Sequence, residues 1–278
     1  MSNYFKNFPS VSYNGALATN LTKRAKIDSV VRDKTSIFYT YTLRDGDRPD
    51  TIAESYYDDA DFAWVVYYSN QILDPYFEWP LNQQQLEQLL ITKYGSVAYA
   101  EELVLFFRVN WEHDETMKNV AGFNALPSVA KKYWKPIFDY KNTITSYERA
   151  DVDWVVENSR TIHLTHDGTG TFAVGEMVKQ GTAASGFVQT FSETDIIVDK
   201  VQGEFTAGSL TNFHQTQTTS VDTATVLYYG ISLEELVYWE PITAFQYEDE
   251  LNEQKKNIYL IDKRYINQIE LEMKTVFA

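Results

Sequence analysis

The sequence predicts an α+β chain: a βααβ domain with extended arms, a small all-β inserted module and a C-terminal helix. Three observations carry this. Residues 39–80 hold a strand, a Gly-Asp turn, two short amphipathic helices and an Asn-x-x-x-Asp-Pro exit. Residues 161–230 are dense in turn glycines (Gly168, Gly170, Gly175, Gly181, Gly186, Gly203, Gly208) between short strand-like runs. Near the C-terminus, Ile266, Ile269, Met273 and Val276 recur at helical spacing. The expected organisation is an arm at 1–36, the βααβ domain at 37–100, an extended connecting region at 101–160, the β module at 161–230 and a strand–helix region at 231–278.

Each element follows from local chemistry. Residues 1–36 alternate aromatics (Tyr4, Phe5, Phe8, Tyr13) with polar and turn residues, which reads as an arm lying on something else. Ile37–Leu43 alternates and is rich in Tyr and Thr, good strand formers. Asp45-Gly46-Asp47 supplies a tight turn. The first helix spans Asp50–Tyr57 with Asp50 as cap. The second spans Asp61–Ser69, with Phe62, Val65, Val66 and Ser69 on one face and Trp64 and Tyr68 beside it. Asn70 suits a left-handed exit, and Asp74-Pro75 stops continuation. A third helix, Asn82–Tyr94, carries Leu86, Leu89, Leu90 and Lys93 at i, i+3, i+4 and i+7 and ends at Gly95.

Leu103–Trp111 is an apolar run for burial, and 112–130 is loop-like. Tyr133-Trp134-Lys135-Pro136-Ile137 opens a second extended stretch. It is echoed by Tyr238-Trp239-Glu240-Pro241-Ile242, and a proline-bearing edge strand is a use common to both. In the β module the strand-like runs are Thr161–Leu164, Phe172–Val174, Phe187–Thr190, Asp195–Val198 and Val226–Tyr229. The chain closes with a strand at Asn257–Ile261 and a helix at Lys263–Phe277 capped by Asp262, its apolar stripe packing inside the molecule.

Composition narrows the function. With 39 acidic and 24 basic residues the net charge is −15, which argues against nucleic acid, whose binding needs concentrated Lys and Arg. The cluster Lys23, Arg24 and Lys26 is short and followed by Asp28, a solvated arm. There is no Cys, hence no disulfide and no Cys-ligated metal, as suits assembly in a reducing cytoplasm. The segment MSNYFKNFPS lacks a signal pattern and no run approaches a membrane span, so neither a membrane nor a secretory route is expected. Aromatics make up 15%; Tyr and Trp suit surfaces that become buried yet keep hydrogen bonds, as well as an aromatic-rich core.

Catalytic constellations are scarce. His163 and His166 on one strand would point to opposite faces, which argues against a shared metal. His113 with Glu112, Asp114 and Glu115 reads as a solvated patch. Asp58-Asp59-x-Asp61 lacks the Gly and terminal Glu of a calcium loop and reads as a cap for the second helix. No Gly-x-Ser-x-Gly elbow, phosphate loop with Lys, or His-Glu-x-x-His motif occurs. No catalytic, cofactor-binding or metal-ligating residue is assigned, and no cofactor or small-molecule ligand is expected.

The stretch 39–80 resembles a LysM module, a βααβ fold that grips N-acetylglucosamine polymers. The resemblance implies a groove where Asp45, Gly46, Asp47 and Arg48 face Asn70, Gln71, Ile72 and Leu73. Gly46, Asp47 and Asn70 match the family, whereas Pro49-Asp50 departs from it. Further blocks, LNQQQLEQLLITKYGS (81–96), Tyr133-Trp134-Lys135-Pro136 and WEPITAFQYEDELNEQKKNIYLI (239–261), resemble the LysM-containing baseplate wedge subunit of contractile-tailed, T-even-like phages. Residues 172–208 resemble a small β module recurring in phage structural proteins. These resemblances imply a non-enzymatic virion part of the tail baseplate, assembled in the host cytoplasm. Its partners would be other wedge proteins in a hetero-oligomer of six wedges around a hub. Tyr4, Phe5, Phe8, Trp79, Trp134 and Trp239 are the candidate interface residues. The rival reading is a peptidoglycan- or chitin-binding LysM protein, or a LysM-anchored wall hydrolase. The hydrolase would need a further domain with paired carboxylates.

Overall fold

The computed structural model describes residues 8–20, 37–44, 46–109, 116–150 and 154–277. It divides into two units, one from residues 1–89 and 248–278, the other from 90–247. Helices and strands are mixed throughout, as an α+β chain requires.

In the first unit, Phe38–Thr42 pairs antiparallel with Asn257–Ile261, Phe38 opposite Ile261 and Thr42 opposite Asn257. Helices Pro49–Tyr57 and Ala63–Asn70 cover one face. The core joins Leu43, Ile52, Ala53, Tyr57, Val65 and Val66 to Ile258, Leu260, Ile261 and Ile266. The strand that completes this βαα unit therefore comes from the far end of the chain. Within 37–100, Phe38–Thr42 is the sole strand among the described residues. After Asn70 the chain turns at Asp74-Pro75 into short helices, Pro75–Glu78 and Gln83–Tyr94, and forms no return strand there.

Pro49 occupies the first helical position, where its missing N–H leaves nothing unsatisfied. The expected start at Asp50 thus moves back one residue, with Arg48 as cap. Asp59 accepts a hydrogen bond from the Asp61 amide (2.8 Å), the capping role expected of the Asp58–Asp61 cluster. Asn82 and Gln85 cap each other reciprocally (2.9 and 3.0 Å). In the C-terminal helix, Ile266–Phe277, Ile266 is buried and Ile269 packs on the same core; the side chains of Met273 and Val276 lie outside the described set. Residues Ser10–Tyr13 and Ala16–Thr19, expected in an extended arm, form a hairpin. Its Asn14-Gly15 turn has positive φ at both positions (49° and 78°), the geometry two-residue hairpins favour.

The second unit holds two small sheets and a closed barrel. One sheet orders Trp239–Thr243, Val104–Val109 and Val155–Val156; the other orders Met117–Asn119, Ile144–Arg149 and Trp134–Phe138. Pro136 and Pro241 both fall on edge strands, where a missing N–H breaks no ladder. The barrel runs Met177–Gln180, Ala184–Phe191, Asp195–Gly203, Arg160–His166, Thr218–Tyr229, Gly208–Asn212 and back to the first. Ile162, Leu164, Val178, Val188, Ile196, Val198, Leu210 and Val221 fill it.

Phe172–Val174, expected as a strand, is none. It lies between Gly170 and Gly175, both at positive φ, and Phe172 instead packs into the barrel core. Strands 177–180 and 208–212 escaped the sequence because each is short and Gly-flanked. Glycines permit the barrel's close backbone approaches. A Cβ on Gly203 (φ +70°) would lie 1.9 Å from the Ala183 carbonyl oxygen, and one on Gly186, at a register shift, 2.4 Å from Val198 Cγ1.

Candidate functional site

The side chains of the expected groove residues Asp47 and Asn70 are engaged within the fold. Asp47 Oδ2 accepts hydrogen bonds from the Tyr41 hydroxyl (2.9 Å) and the Arg44 amide (2.8 Å), while the Asp47 amide donates to the Arg44 carbonyl (3.0 Å). The turn through Gly46 (φ +87°) is thereby closed on itself. The bond to Asp47, with some burial, lifts the Tyr41 phenol above its usual pKa. Asp45 lies outside the described residues.

Asn70 is engaged more fully still. Its Nδ2 donates to the Val66 carbonyl (2.8 Å) and the Tyr259 carbonyl (2.9 Å), and its Oδ1 accepts from the Tyr259 amide (2.8 Å). One carboxamide thus satisfies both outward backbone groups of Tyr259, as a neighbouring strand would. Ser69 Oγ lies 2.8 Å from both the Val65 and Tyr259 carbonyl oxygens. Asn70 was expected as the left-handed exit, but Gln71 takes that conformation (φ +58°). Gln71 and Ile72 amides donate back to Tyr68 and Tyr67 (3.2 and 3.0 Å), a Schellman closure that holds Asn70 in the last helical turn.

An open hollow of about 430 Å³ lies beside Asn70 and Ile72, lined also by Glu78, Lys255, Asn257 and Tyr259. Neither Gly46 nor Asp47 lines this hollow. A second asparagine repeats the stitch: Asn252 Oδ1 accepts from the Leu81 amide (2.7 Å) and its Nδ2 donates to the Leu81 carbonyl (3.0 Å). Leu81, at the head of the 81–96 block, and Asn252, within the 239–261 block, therefore meet in space.

The aromatic candidates are mostly internal. Trp134 is 5% exposed, so it offers no partner surface; it packs with Tyr133, Tyr238 and Val109, and the Lys118 ammonium lies 5.0 Å from its ring. Trp79 is half-buried, edge-on to Tyr67 at 6.1 Å. Half-buried Trp239 donates its indole N–H to the Tyr133 hydroxyl (2.7 Å). Phe8 is half-buried, and Tyr4 and Phe5 lie outside the described residues. Tyr140, not among the expected interface residues, is 90% exposed on a turn where Asp139 Oδ1 accepts the Lys141 and Thr143 amides. The Asp-Tyr-Lys-Asn-Thr composition of that turn was the available signal.

The two Tyr-Trp-x-Pro-Ile segments form one joint. In each, Tyr ends a short 3₁₀ turn and Trp begins a strand, and the Tyr133 and Tyr238 rings stack 4.7 Å apart. A polar chain runs through it. The Tyr133 hydroxyl donates to Glu235 Oε1 (2.9 Å), which also pairs with Lys132, while Ser232 donates to Oε2 (2.7 Å). Burial raises the Glu235 carboxyl, but the bonds from Lys132, Ser232 and Tyr133 outweigh it and hold the group below the usual range. Burial pushes the Tyr133 phenol well up. Contacts at both carboxylate oxygens fasten this joint.

His163 pairs with Asp195 (2.8 Å) on the outside of the barrel, whereas His166 is buried between Thr219 and the Ser192 carbonyl. The opposite-face expectation describes them. Among the described residues no group of three or more His, Cys, Asp or Glu could hold a metal, and no helix is long and apolar enough to cross a membrane.

Comparison with known proteins gives this arrangement a context. The family model described as base plate wedge protein 53 matches residues 6–165, more than half of the 278-residue chain. Baseplate wedge protein gp53 of Enterobacteria phage T4 is 29% identical over 111 residues, covering 40% of this chain and 53% of that protein. The chain spans about half the length of that curated relative.

Proposed function

Since the chain belongs to the base plate wedge protein 53 family, we propose that it is a structural component of a phage tail-baseplate wedge. It works by adhesion to other baseplate proteins and not by turnover. The family match carries this reading. The spent state of Asp47 and Asn70 supports it, because a glycan could use Asn70 only by unfastening the C-terminal strand. In this reading the βαα unit is a LysM-like scaffold kept for its shape, within a contractile tail whose six wedges join around a hub. Assembly takes place in the host cytoplasm. The barrel, which lies almost wholly beyond the matched span, is an insert facing the periphery or a neighbouring wedge.

Co-expression with the other wedge proteins of the same tail, followed by sedimentation, tests the proposal. The expected result is a stable co-sedimenting complex and no retention on insoluble peptidoglycan or chitin. A chain that sediments alone and binds those polymers would reverse it.

A further inference from the structure

The edges of this chain's sheets are guarded unequally. Exposed strand edges template unwanted pairing, so native proteins block them with proline, charge or a covering group. Pro136 and Pro241 sit on edge strands of the second unit. In the first unit, the outer edge of Asn257–Ile261 is plugged by the Asn70 carboxamide. The opposite edge, strand Phe38–Thr42, carries no such device.

The register shows which groups are bare. Leu43 donates to the Lys256 carbonyl and Asp262 to the Ile37 carbonyl, so residues 37, 39, 41 and 43 face the partner strand. The N–H and C=O groups of Phe38, Thr40 and Thr42 therefore point away from it. Among the described residues no backbone group pairs with them. The sequence here, Phe-Tyr-Thr-Tyr-Thr, is rich in strand formers and lacks proline or lysine. Beside the edge, the Tyr39 ring is 56% exposed and stacked on Tyr56 at 5.9 Å, a flat wall for a cross-strand side chain.

From this geometry we infer that strand Phe38–Thr42 is a docking edge that receives an extended segment of another baseplate subunit as a third antiparallel or parallel strand. The inference rests on the wedge reading above and names its contact. Backbone hydrogen bonding dictates an extended chain as occupant, and the tyrosine wall favours an apolar or aromatic residue in it. The charge points to a different subunit: two copies of this chain would each bring −15.

Thr40→Pro is the test, because the lost N–H belongs to the bare edge and not to the existing ladder. In the full chain, T40P retains the wild-type melting temperature but its co-sedimentation with the other wedge proteins falls at least tenfold. Hydrogen exchange gives the second readout. On assembly of the wild type, amides 38, 40 and 42 slow at least tenfold, whereas 39 and 41 are slow already. If T40P fails to fold, Thr40→Lys blocks the edge without a backbone demand and loses assembly equally. Undiminished assembly of T40P or T40K, or unchanged exchange at 38 and 40, overturns the docking edge and leaves the wedge role intact. Self-association of the purified chain that T40P abolishes overturns the choice of occupant. A wild-type chain that joins no wedge protein removes the wedge reading itself, and this proposal with it.

Discussion

Replacing Asn70 distinguishes a structural clasp from a sugar ligand. Asn70→Ala removes three hydrogen bonds at 2.8–2.9 Å, two of them to Tyr259 on a strand 189 residues away. Each contributes about 0.5–1.5 kcal/mol net. The Val66 carbonyl sits within a helix, and Tyr259 is 44% exposed, so water recovers part of the loss. The expected cost is about 2–3 kcal/mol to local opening of the C-terminal strand. At about 1.4 kcal/mol per decade, that accelerates exchange of the Tyr259 amide roughly 30- to 150-fold. Exchange is the right assay because two units need not melt together. Asn70→Asp sharpens the result. It keeps the acceptor for the Tyr259 amide but loses both donors and sets a carboxylate oxygen against two carbonyls, so it is at least as damaging as alanine. An Asn70→Ala chain whose Tyr259 amide quickens less than about threefold, roughly 0.6 kcal/mol, would refute the clasp. So would protection of that amide by added chitin oligosaccharide in the wild type.

Other outcomes follow from the same packing. Leu260→Ala, at a fully buried site joining the C-terminal strand to both helices, costs about 2–5 kcal/mol in urea unfolding of the first unit. Glu235→Gln weakens the Tyr133–Lys132–Ser232 fastening by about 2–4 kcal/mol at neutral pH. Because the folded carboxyl lies below the usual glutamate value, its stabilisation is complete above that value and disappears as pH falls through the lower folded one. Denaturation curves of wild type and variant therefore converge in acid. Gly203→Ala drives a Cβ into the Ala183 carbonyl at a positive φ, costing at least about 2 kcal/mol and lowering protection of the barrel amides while the first unit's stay unchanged. Tyr140→Ser, on an exposed turn, alters thermal stability by no more than about 0.5 kcal/mol; an effect above 1 kcal/mol would show that the ring packs on something.

Much of the local structure was legible because its causes lie within a few residues. Asp59 caps a turn two residues on, and Gly95 ends the third predicted helix with φ +91°. Pro136 and Pro241 announce edge strands because proline cannot donate to a ladder. The barrel's strands were half visible: Arg160–His166 and Asp195–Gly203 alternate clearly, but Met177–Gln180 and Gly208–Asn212 are too short to show a period. Phe172 misled because an apolar plug and a strand residue look alike in one dimension.

By itself, then, the sequence determined the chain's mixed α+β character, several of its turns and caps, and its acidity. The tertiary structure alone decided where the pieces close. It brought Asn257–Ile261 to Phe38–Thr42, turned Asn70 and Asn252 into stitches, and buried Trp134 against the stacked tyrosines. The reason is physical. A side chain's type fixes what it can donate, accept or bury, whereas its partner is fixed by a chain reversal that carries no local signature when the two lie far apart in the sequence.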